Sequence, residues 1–340
     1  MSKNSTFTLE DVALVSLQAC EAPLVVTSAE VDERLAPFYE RTDGKPGLLE
    51  ALAGIRERRQ WPEGVSFTDA AAMAGERAIQ AAGIDRDRIG LLIDTSVCRA
   101  RLEPSSAVTV HDALDLPSTC LNFDLVNACL GFMNAMHLAG VMIDAGQIDY
   151  ALIVDGEGTR EIYDNTINFL NERGEGLPDI IANFASLTLG SGSVAAVIGR
   201  HSDNPGSHQM LRGFFHAATQ HHELCIGSLE RMTTDTRGLL DAGTELAKLA
   251  WDDAGAGDTW GGRDRYIFHQ VSEVHTNAML DVLGIDPERV PKTFPTYGNI
   301  GPAAVPITLA SVADTLSPGD SVLCMGIGSG LNAGVIELRW

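Results

Sequence analysis

The sequence predicts an α/β fold made of two similar βαβαββ halves, and three matched pairs of segments carry that prediction. Phe123-Asp-Leu-Val-Asn-Ala-Cys129-Leu-Gly reads as a strand, a turn and a helix start, and Phe294-Pro-Thr-Tyr-Gly-Asn-Ile-Gly-Pro302 reads the same way, with Asn299 in place of Cys129 at an offset of 299 − 129 = 170. The same offset carries the apolar strand Ala151-Leu-Ile-Val-Asp-Gly156 onto Ser321-Val-Leu-Cys-Met-Gly326, because 321 − 151 = 170, so the register holds across a helix. Finally, Gly190-Ser191-Gly192 before the apolar run Val194 to Ile198 resembles Gly328-Ser329-Gly330 before Ala333 to Leu338.

Taken in order, residues 7–26 alternate polar and apolar with Val12, Leu14, Val15 and Leu17, the pattern of a first strand, and Thr27 to Tyr39 reads as a capped helix. Gly54-Ile-Arg-Glu-Arg-Arg-Gln-Trp61 holds three arginines and a tryptophan in eight residues. That composition suits a clamp for phosphates with a stacking surface for a base, or alternatively a solvated charged turn. From Thr68, an expected N-cap, an alanine-rich helix runs to a stop at Gly83, and Ile89 to Ile93 is a buried strand.

After the Leu121 to Val126 strand, Cys129 falls in the first turn of a helix whose apolar face carries Leu130, Met133 and Met136. Unpaired N–H groups and the positive dipole end at that position are expected to lower a thiol pKa and make a nucleophile. The competing reading is a cysteine packed as a small hydrophobe. Residues 157 to about 186 form an insertion between the last two strands of the first half. Residues 201–222 read as a polar, His-containing connector, and helix-like sequence from Asp235 to Trp251 opens the second half. The boundary therefore falls near residue 200, giving halves of 1–200 and 201–340.

Composition supports two domain-sized halves: 340 residues, 45% hydrophobic and 21% charged. With 24 Lys+Arg against 46 Asp+Glu the net charge is -22, which argues against binding nucleic acid or an anionic membrane surface nonspecifically. Six cysteines with no CxxC pair point to a reduced, cytoplasmic setting. Met1-Ser-Lys-Asn-Ser-Thr6 leads into a segment interrupted by Glu10 and Asp11, without the apolar core of a signal peptide, and no apolar run has the length of a membrane span. His222-Glu223-Leu-Cys-Ile226 lacks the second His of a zinc-protease motif, so no metal is expected. Gly326-Ile-Gly-Ser-Gly-Leu331 is not GxGxxG, and no nucleotide-binding loop is present.

Two such halves facing each other across a pseudo-two-fold place corresponding strand-to-helix turns together, so Cys129 and Asn299 are expected in one pocket. The counterpart of the Ile93-Asp94-Thr95 strand end is Ile267-Phe268-His269-Gln270, which brings His269 to the same mouth.

With these residues assembled the chain resembles the thiolase superfamily, in its ketoacyl synthase III-like branch. The resemblance rests on Gly54-Ile-Arg-Glu-Arg-Arg59, Asn127-Ala-Cys129-Leu-Gly-Phe132, His269-Gln270, Gly298-Asn299-Ile-Gly-Pro-Ala303 and Gly326-Ile-Gly-Ser-Gly-Leu-Asn332. Within that branch, Leu102-Glu103-Pro104-Ser105, Arg231-Met-Thr-Thr-Asp-Thr-Arg237, His269-Gln-Val-Ser272 and Gly298-Asn-Ile-Gly-Pro302 resemble the enzymes that join two fatty acyl-CoA molecules head to head.

The resemblance implies a five-layer αβαβα thiolase fold, a homodimer built across the strand preceding the nucleophile, long-chain acyl-CoA substrates and no further cofactor. It makes Cys129 the acyl-accepting nucleophile, with His269 and Asn299 donating hydrogen bonds to the thioester oxygen and the enolate. The backbone N–H groups of Cys129 and Ser329 then serve the tetrahedral intermediate. Arg56, Arg59 and Trp61 become the CoA-binding residues. Glu103 reaches the partner subunit's active site and removes the α-proton that joining two plain acyl thioesters requires; read alone, it is a surface loop carboxylate. The product is a 2-alkyl-3-ketoacyl-CoA bound for olefin, ketone or β-lactone synthesis, with downstream enzymes as possible partners.

Two further readings are a decarboxylative 3-oxoacyl-ACP synthase III using malonyl thioester, and a catalytically silent subunit of a heterodimer. Glu103 and the Gly-Asn-Ile-Gly-Pro run favour condensation without decarboxylation. Retention of Cys129, His269, Asn299 and Glu103 together counts against a silent subunit.

Overall fold

Nine strands build one mixed sheet: β1 (Thr6–Glu21), β2 (Ile89–Asp94), β3 (Leu121–Asp124), β4 (Tyr150–Glu157), β5 (Gly192–Arg200), β6 (His208–Ala217), β7 (Arg265–Phe268), β8 (Ser321–Gly328) and β9 (Asn332–Arg339). The main helices are α1 (Phe67–Ala82), α2 (Ser106–Ala113), α3 (Gly131–Asp144), α4 (Thr236–Asp253), α5 (Glu273–Leu283) and α6 (Ala304–Val312). The computed structural model describes residues 6–228, 230–253 and 260–340, so residues 1–5, on which the reading of the N-terminus partly fell, lie outside the described residues.

The strand order β7-β8-β9-β6-β1-β5-β4-β2-β3 divides into two sets with matching internal order. In the first, β4 pairs parallel with β2 and antiparallel with β5; in the second, β8 pairs parallel with β7 and antiparallel with β9. The long β1 joins them, lying antiparallel to β6 and to β5 with register shifts along its length.

Side-chain alternation along the strands then sets the layers. Leu91 and Ile93 of β2 face α3 and α6, while Leu92 faces α1 and α2. Val322 and Cys324 of β8 face the same central helices, and Leu323 and Met325 face α4 and α5. The result is five layers, αβαβα. The central helix α3 is buried nearly all round, through Phe132, Met133, Ala135, Met136, Ala139 and Ile143. Each large side chain of that set stabilises the fold by about 1.5–3 kcal/mol.

Local corrections to the sequence reading follow from specific residues. The first strand stops at Glu21, and after Ala22-Pro23 a separate strand, Leu24–Thr27, pairs with Glu57–Gln60. Thr27 does cap a helix, Ser28–Arg34, in a reciprocal capping box with Glu30. That helix ends at Leu35, and a second one, Ala36–Thr42, begins with Pro37 in its first turn. The N-cap of α1 is Ser66, boxed with Asp69, and not Thr68; Gly83 ends it in the left-handed region at φ 64°.

Two larger corrections concern the second half. Residues 208–217, expected in a connector, form β6, which pairs with β1 and β9, so the second half opens on that strand rather than on α4. The stretch before Asn299 is no strand: Phe294–Tyr297 is a single helical turn, with Pro295 inside it. The insertion of residues 157–186 is helical, and Tyr163, Ile167, Leu170 and Ile180 pack against Val31, Leu35, Phe38 and Leu49.

Candidate active site

The Cys129 turn is closed by backbone hydrogen bonds from Leu125 N–H to Asp94 O (2.9 Å), Leu130 N–H to Asn127 O (3.0 Å) and Gly131 N–H to Ala128 O (3.2 Å). Ala128 sits at φ 45°, a left-handed conformation that costs a non-glycine residue about 1–2 kcal/mol. A Cβ at Gly131 would lie 3.1 Å from Leu125 O and 3.3 Å from Thr95 O, so the start of α3 is pressed onto the strand ends. Tight turn and close helix together present Cys129 at the helix start.

Against this turn lies the end of β8. A Cβ at Gly328 would stand 2.9 Å from Asn127 O and 3.4 Å from Cys129 N, so the Gly328-Ser329-Gly330 turn abuts the cysteine backbone. Asn127 is fixed by Asn332 Nδ2 donating to its Oδ1 (3.1 Å) and by its own Nδ2 donating to Asn134 Oδ1 (2.8 Å).

Asn299 is clamped differently. Its N–H donates to Thr188 O at 2.9 Å, its carbonyl accepts from Gly190 N–H at 2.9 Å, and Gly301 N–H donates to its Oδ1 at 3.0 Å. Nδ2 is left as the donor of that amide. Gly298 precedes it at φ 70°, where a Cβ would meet Thr188 O at 2.6 Å, so only glycine fits.

His269 follows β7, its N–H donating to Met325 O at 2.9 Å. It is 8% exposed, and Nδ1 has no hydrogen-bond partner among the described residues. Burial, reinforced by His275, pulls its pKa down to about 3, so the imidazole is neutral. Beside it opens an apolar cavity between the second half's strands and α4 and α5, lined by Trp251, Val271, His275, Met279, Met325 and Val335 among others.

The electrostatics of Cys129 run opposite to the expectation from its place at a helix start. Burial pushes the thiol up to about 12, with Cys225, Glu157 and Asp155 adding to the rise, so the resting group is a thiol. Glu157 and its neighbours were not anticipated from the sequence. Burial pushes Asp94 up to about 6 and Glu157 up to about 7, and raises Asp155 well above the usual range, with Glu157 contributing. Thr95 Oγ1 donates to Asp155 Oδ2 at 2.6 Å, and Ser96 N–H donates to Asp94 Oδ1 at 2.8 Å. The available signal was carboxylates ending apolar runs, as in Leu-Leu-Ile-Asp94 and Ile-Val-Asp155-Gly-Glu157.

Glu103 stands apart from this group, exposed on the loop between β2 and α2, next to Leu102 at 96% exposure. Both loop ends are anchored. The Val97 N–H donates to Glu157 Oε1 at 2.6 Å, and Asp124 accepts the first N–H groups of α2, from Ser106 (2.9 Å) and Ala107 (2.8 Å). Glu103 thus projects outward from its own subunit.

The basic cluster is only partly as expected. Arg56 is exposed, whereas Arg59 is paired with Glu21 at 3.0 Å and Glu57 at 3.1 Å. Trp61 is 7% exposed, packed into the core of the first half, with its indole N–H donating to Glu157 O at 3.0 Å. A buried tryptophan with a satisfied N–H has no face left for stacking a base, which corrects that expectation. Among the described residues all six cysteines are free, no group of three or more His, Cys, Asp or Glu is arranged to hold a metal ion, and no helix is long and apolar enough to cross a membrane.

Comparison with known proteins bears on this geometry. Residues 123–213 match the family model of 3-oxoacyl-[acyl-carrier-protein] synthase III, and residues 254–340 match that of its C-terminal part. The chain is 40% identical to the acyl-CoA:acyl-CoA alkyltransferase of Xanthomonas campestris, covering 97% of this chain and 99% of that protein. It is 38% identical to the protein of the same name from Shewanella oneidensis, covering 94% and 96%. A crystal structure of a cysteine-to-serine variant of Xanthomonas campestris OleA, with bound lauric acid and lauroyl-CoA, superposes with a TM-score of 0.94 at 40% identity, over 98% of this chain and all of that one.

Proposed function

The chain belongs to the acyl-CoA:acyl-CoA alkyltransferases of the 3-oxoacyl-ACP synthase III-like, thiolase-superfamily enzymes, and from that premise we propose that Cys129, His269, Asn299 and Glu103 carry out a head-to-head Claisen condensation of two long-chain acyl-CoA molecules. The identity of 40% along almost the whole chain to an enzyme named for that reaction is the observation that carries the reading.

In the first half-reaction Cys129 attacks the thioester of one acyl-CoA. Because the resting group is a thiol, its proton leaves during attack; the neutral imidazole of His269 takes it and returns it to the departing CoA sulfur. The backbone N–H groups of Cys129 and Ser329 receive the negative charge that builds on the carbonyl oxygen. In the second half-reaction the α-proton of another acyl-CoA is removed, and the enolate oxygen is held by Asn299 Nδ2 and His269. The carbanion attacks acyl-Cys129, its carbon–sulfur bond breaks, and the proton taken from the α-carbon passes from the base to the departing Cys129 sulfur, restoring both groups. The apolar cavity beside His269 takes one alkyl chain. Arg56, exposed and without an ion pair among the described residues, meets the CoA phosphates, with Arg59 able to join only by giving up Glu21 or Glu57.

Glu103 is the base, delivered to the partner's site in a homodimer. Its exposed position between two anchored loop ends, with the apolar Leu102 beside it and β3 at the sheet edge, supports this reading. The nucleophile belongs to the half formed by residues 1–200, and His269 and Asn299 to that of residues 201–340. Glu103→Gln should lower carbon–carbon bond formation by about two to four orders of magnitude while acyl-Cys129 accumulates. Mixing that variant with Cys129→Ala under conditions of subunit exchange should restore activity, since one site of each mixed dimer is intact. Wild-type condensation by Glu103→Gln, or no recovery on mixing, would refute the assignment.

A further inference from the structure

Glu157 ends β4, is 3% exposed, and neither moves a proton nor touches substrate in the mechanism above. Four segments converge on it. Its Oε1 accepts the Val97 N–H at 2.6 Å and its Oε2 accepts the Cys98 thiol at 2.9 Å, while the Cys98 sulfur accepts the Gly158 N–H at 3.3 Å. Its backbone carbonyl takes the Trp61 indole N–H. On its other side, a Cβ at Gly301 would lie 3.6 Å from Oε1, and Gly301 is the residue whose N–H fixes the Asn299 amide. The Cys129 thiol senses the same carboxyl.

A buried carboxyl is costly, and an apolar side chain of similar volume would fill this space more cheaply. What an apolar group cannot do is accept two hydrogen bonds from consecutive residues at the root of one loop. That loop carries Glu103; its far end is held by Asp124 on the first N–H groups of α2, and Arg99, just past its root, reaches the same Asp124 at 3.5 Å. We propose that Glu157 is a positioning residue for the condensation step: it fixes the root of the 95–105 loop and thereby sets where Glu103 stands in the partner's active site. The proposal rests on Glu103 being the α-proton base. Its physical basis is that displacing a reacting group by about 1 Å costs about a hundredfold in rate, and that releasing Val97 and Cys98 frees the near anchor of a loop whose tip is exposed.

The test uses full-length Glu157→Gln, which keeps the shape but presents an N–H₂ to the Cys98 thiol, with lauroyl-CoA as the probe. Two rates are measured: acylation of Cys129 by quenched intact-protein mass spectrometry, and condensation by product mass. We expect acylation within about threefold of wild type and condensation lower by about tenfold or more. Because Glu157 acts through Glu103, the double variant Glu103→Gln/Glu157→Gln should condense no more slowly than Glu103→Gln alone. If Glu157→Gln does not fold, Glu157→Asp retains the carboxylate one methylene short and should show the same split at smaller size. Equal losses in both half-reactions, wild-type condensation, or additive losses in the double variant would overturn the proposal. The underlying reading of Glu103 fails separately, on Glu103→Gln condensing at the wild-type rate.

Discussion

The Cys129 turn and the Asn299 turn occupy matching places in the two halves, yet they are built in different ways. Before Cys129 the strand β3 runs to the turn, Ala128 takes a left-handed conformation, and the half-buried cysteine has its thiol raised further by Glu157 and Asp155. Before Asn299 there is a helical turn instead of a strand, Gly298 supplies the left-handed residue, and Thr188 and Gly190 grip the asparagine by its backbone. On the proposed mechanism the first half holds a group that must react, and the second holds donors that must stay still. Their charge logic is complementary too. Burial raises the first half's acids (Cys129 to about 12, Glu157 to about 7, Asp94 to about 6) and lowers the second half's bases (His269 to about 3, His275 to about 4). Cys129 and His269 are thereby both uncharged at rest, which suits chemistry in which charge appears on oxygen only in the transition state.

The largest effect is expected at the Cys129 turn. Cys129→Ser should abolish acylation, with a loss of about 10⁴-fold or greater, because a serine hydroxyl in this setting is a far weaker nucleophile than a thiol losing its proton. Intact mass after exposure to an acyl-CoA reads the outcome, and a stable adduct on another cysteine such as Cys98 would relocate the site. Asn299→Ala should cost less, about 10²–10³-fold in condensation, since it removes one donor while the Thr188 and Gly190 backbone clamp remains. Steady-state rates that fall no further than a few-fold would show that the second turn is scaffold only.

The charge contrast gives a smaller effect, in stability. For Glu157, whose native pKa of about 7 exceeds the ordinary 4.5, the native state binds more protons between those values, so its contribution is lost as pH rises through that window. For His269, whose native pKa of about 3 lies below the ordinary 6.5, the unfolded state binds more protons, so its contribution is lost as pH falls from 6.5 toward 3. Thermal midpoints against pH should therefore flatten on the neutral side in Glu157→Gln and on the acid side in His269→Asn. Parallel curves for wild type and both variants would contradict the opposed burial of acid and base.

Much of this arrangement was legible in the sequence, and what was not has physical causes. The 170-residue offset carried Cys129 onto Asn299 because turn geometry restricts residue choice at both places, through Gly131 in one and Gly298 in the other. It could not show that Phe294–Tyr297 would coil, since an apolar residue before a proline serves either conformation there. The strand β6 was obscured because His208, Gln209, Arg212 and His216 interrupt its apolar positions; only its pairing with β1 and β9 makes it a strand. Trp61 among arginines looked like surface, whereas the Glu157 carbonyl that satisfies its indole is distant in sequence. The buried carboxyls left only a faint trace, acids closing the apolar runs at Asp94 and Asp155, because their importance comes from tertiary burial.

Incubating purified protein with lauroyl-CoA alone, and following free CoA together with product mass, decides whether the condensation proceeds without decarboxylation. Condensation of two acyl groups without decarboxylation predicts one CoA released per product and a product carrying both lauroyl units on a single CoA, with no malonyl thioester present. A strict requirement for malonyl thioester, with carbon dioxide released in step with product, would contradict it.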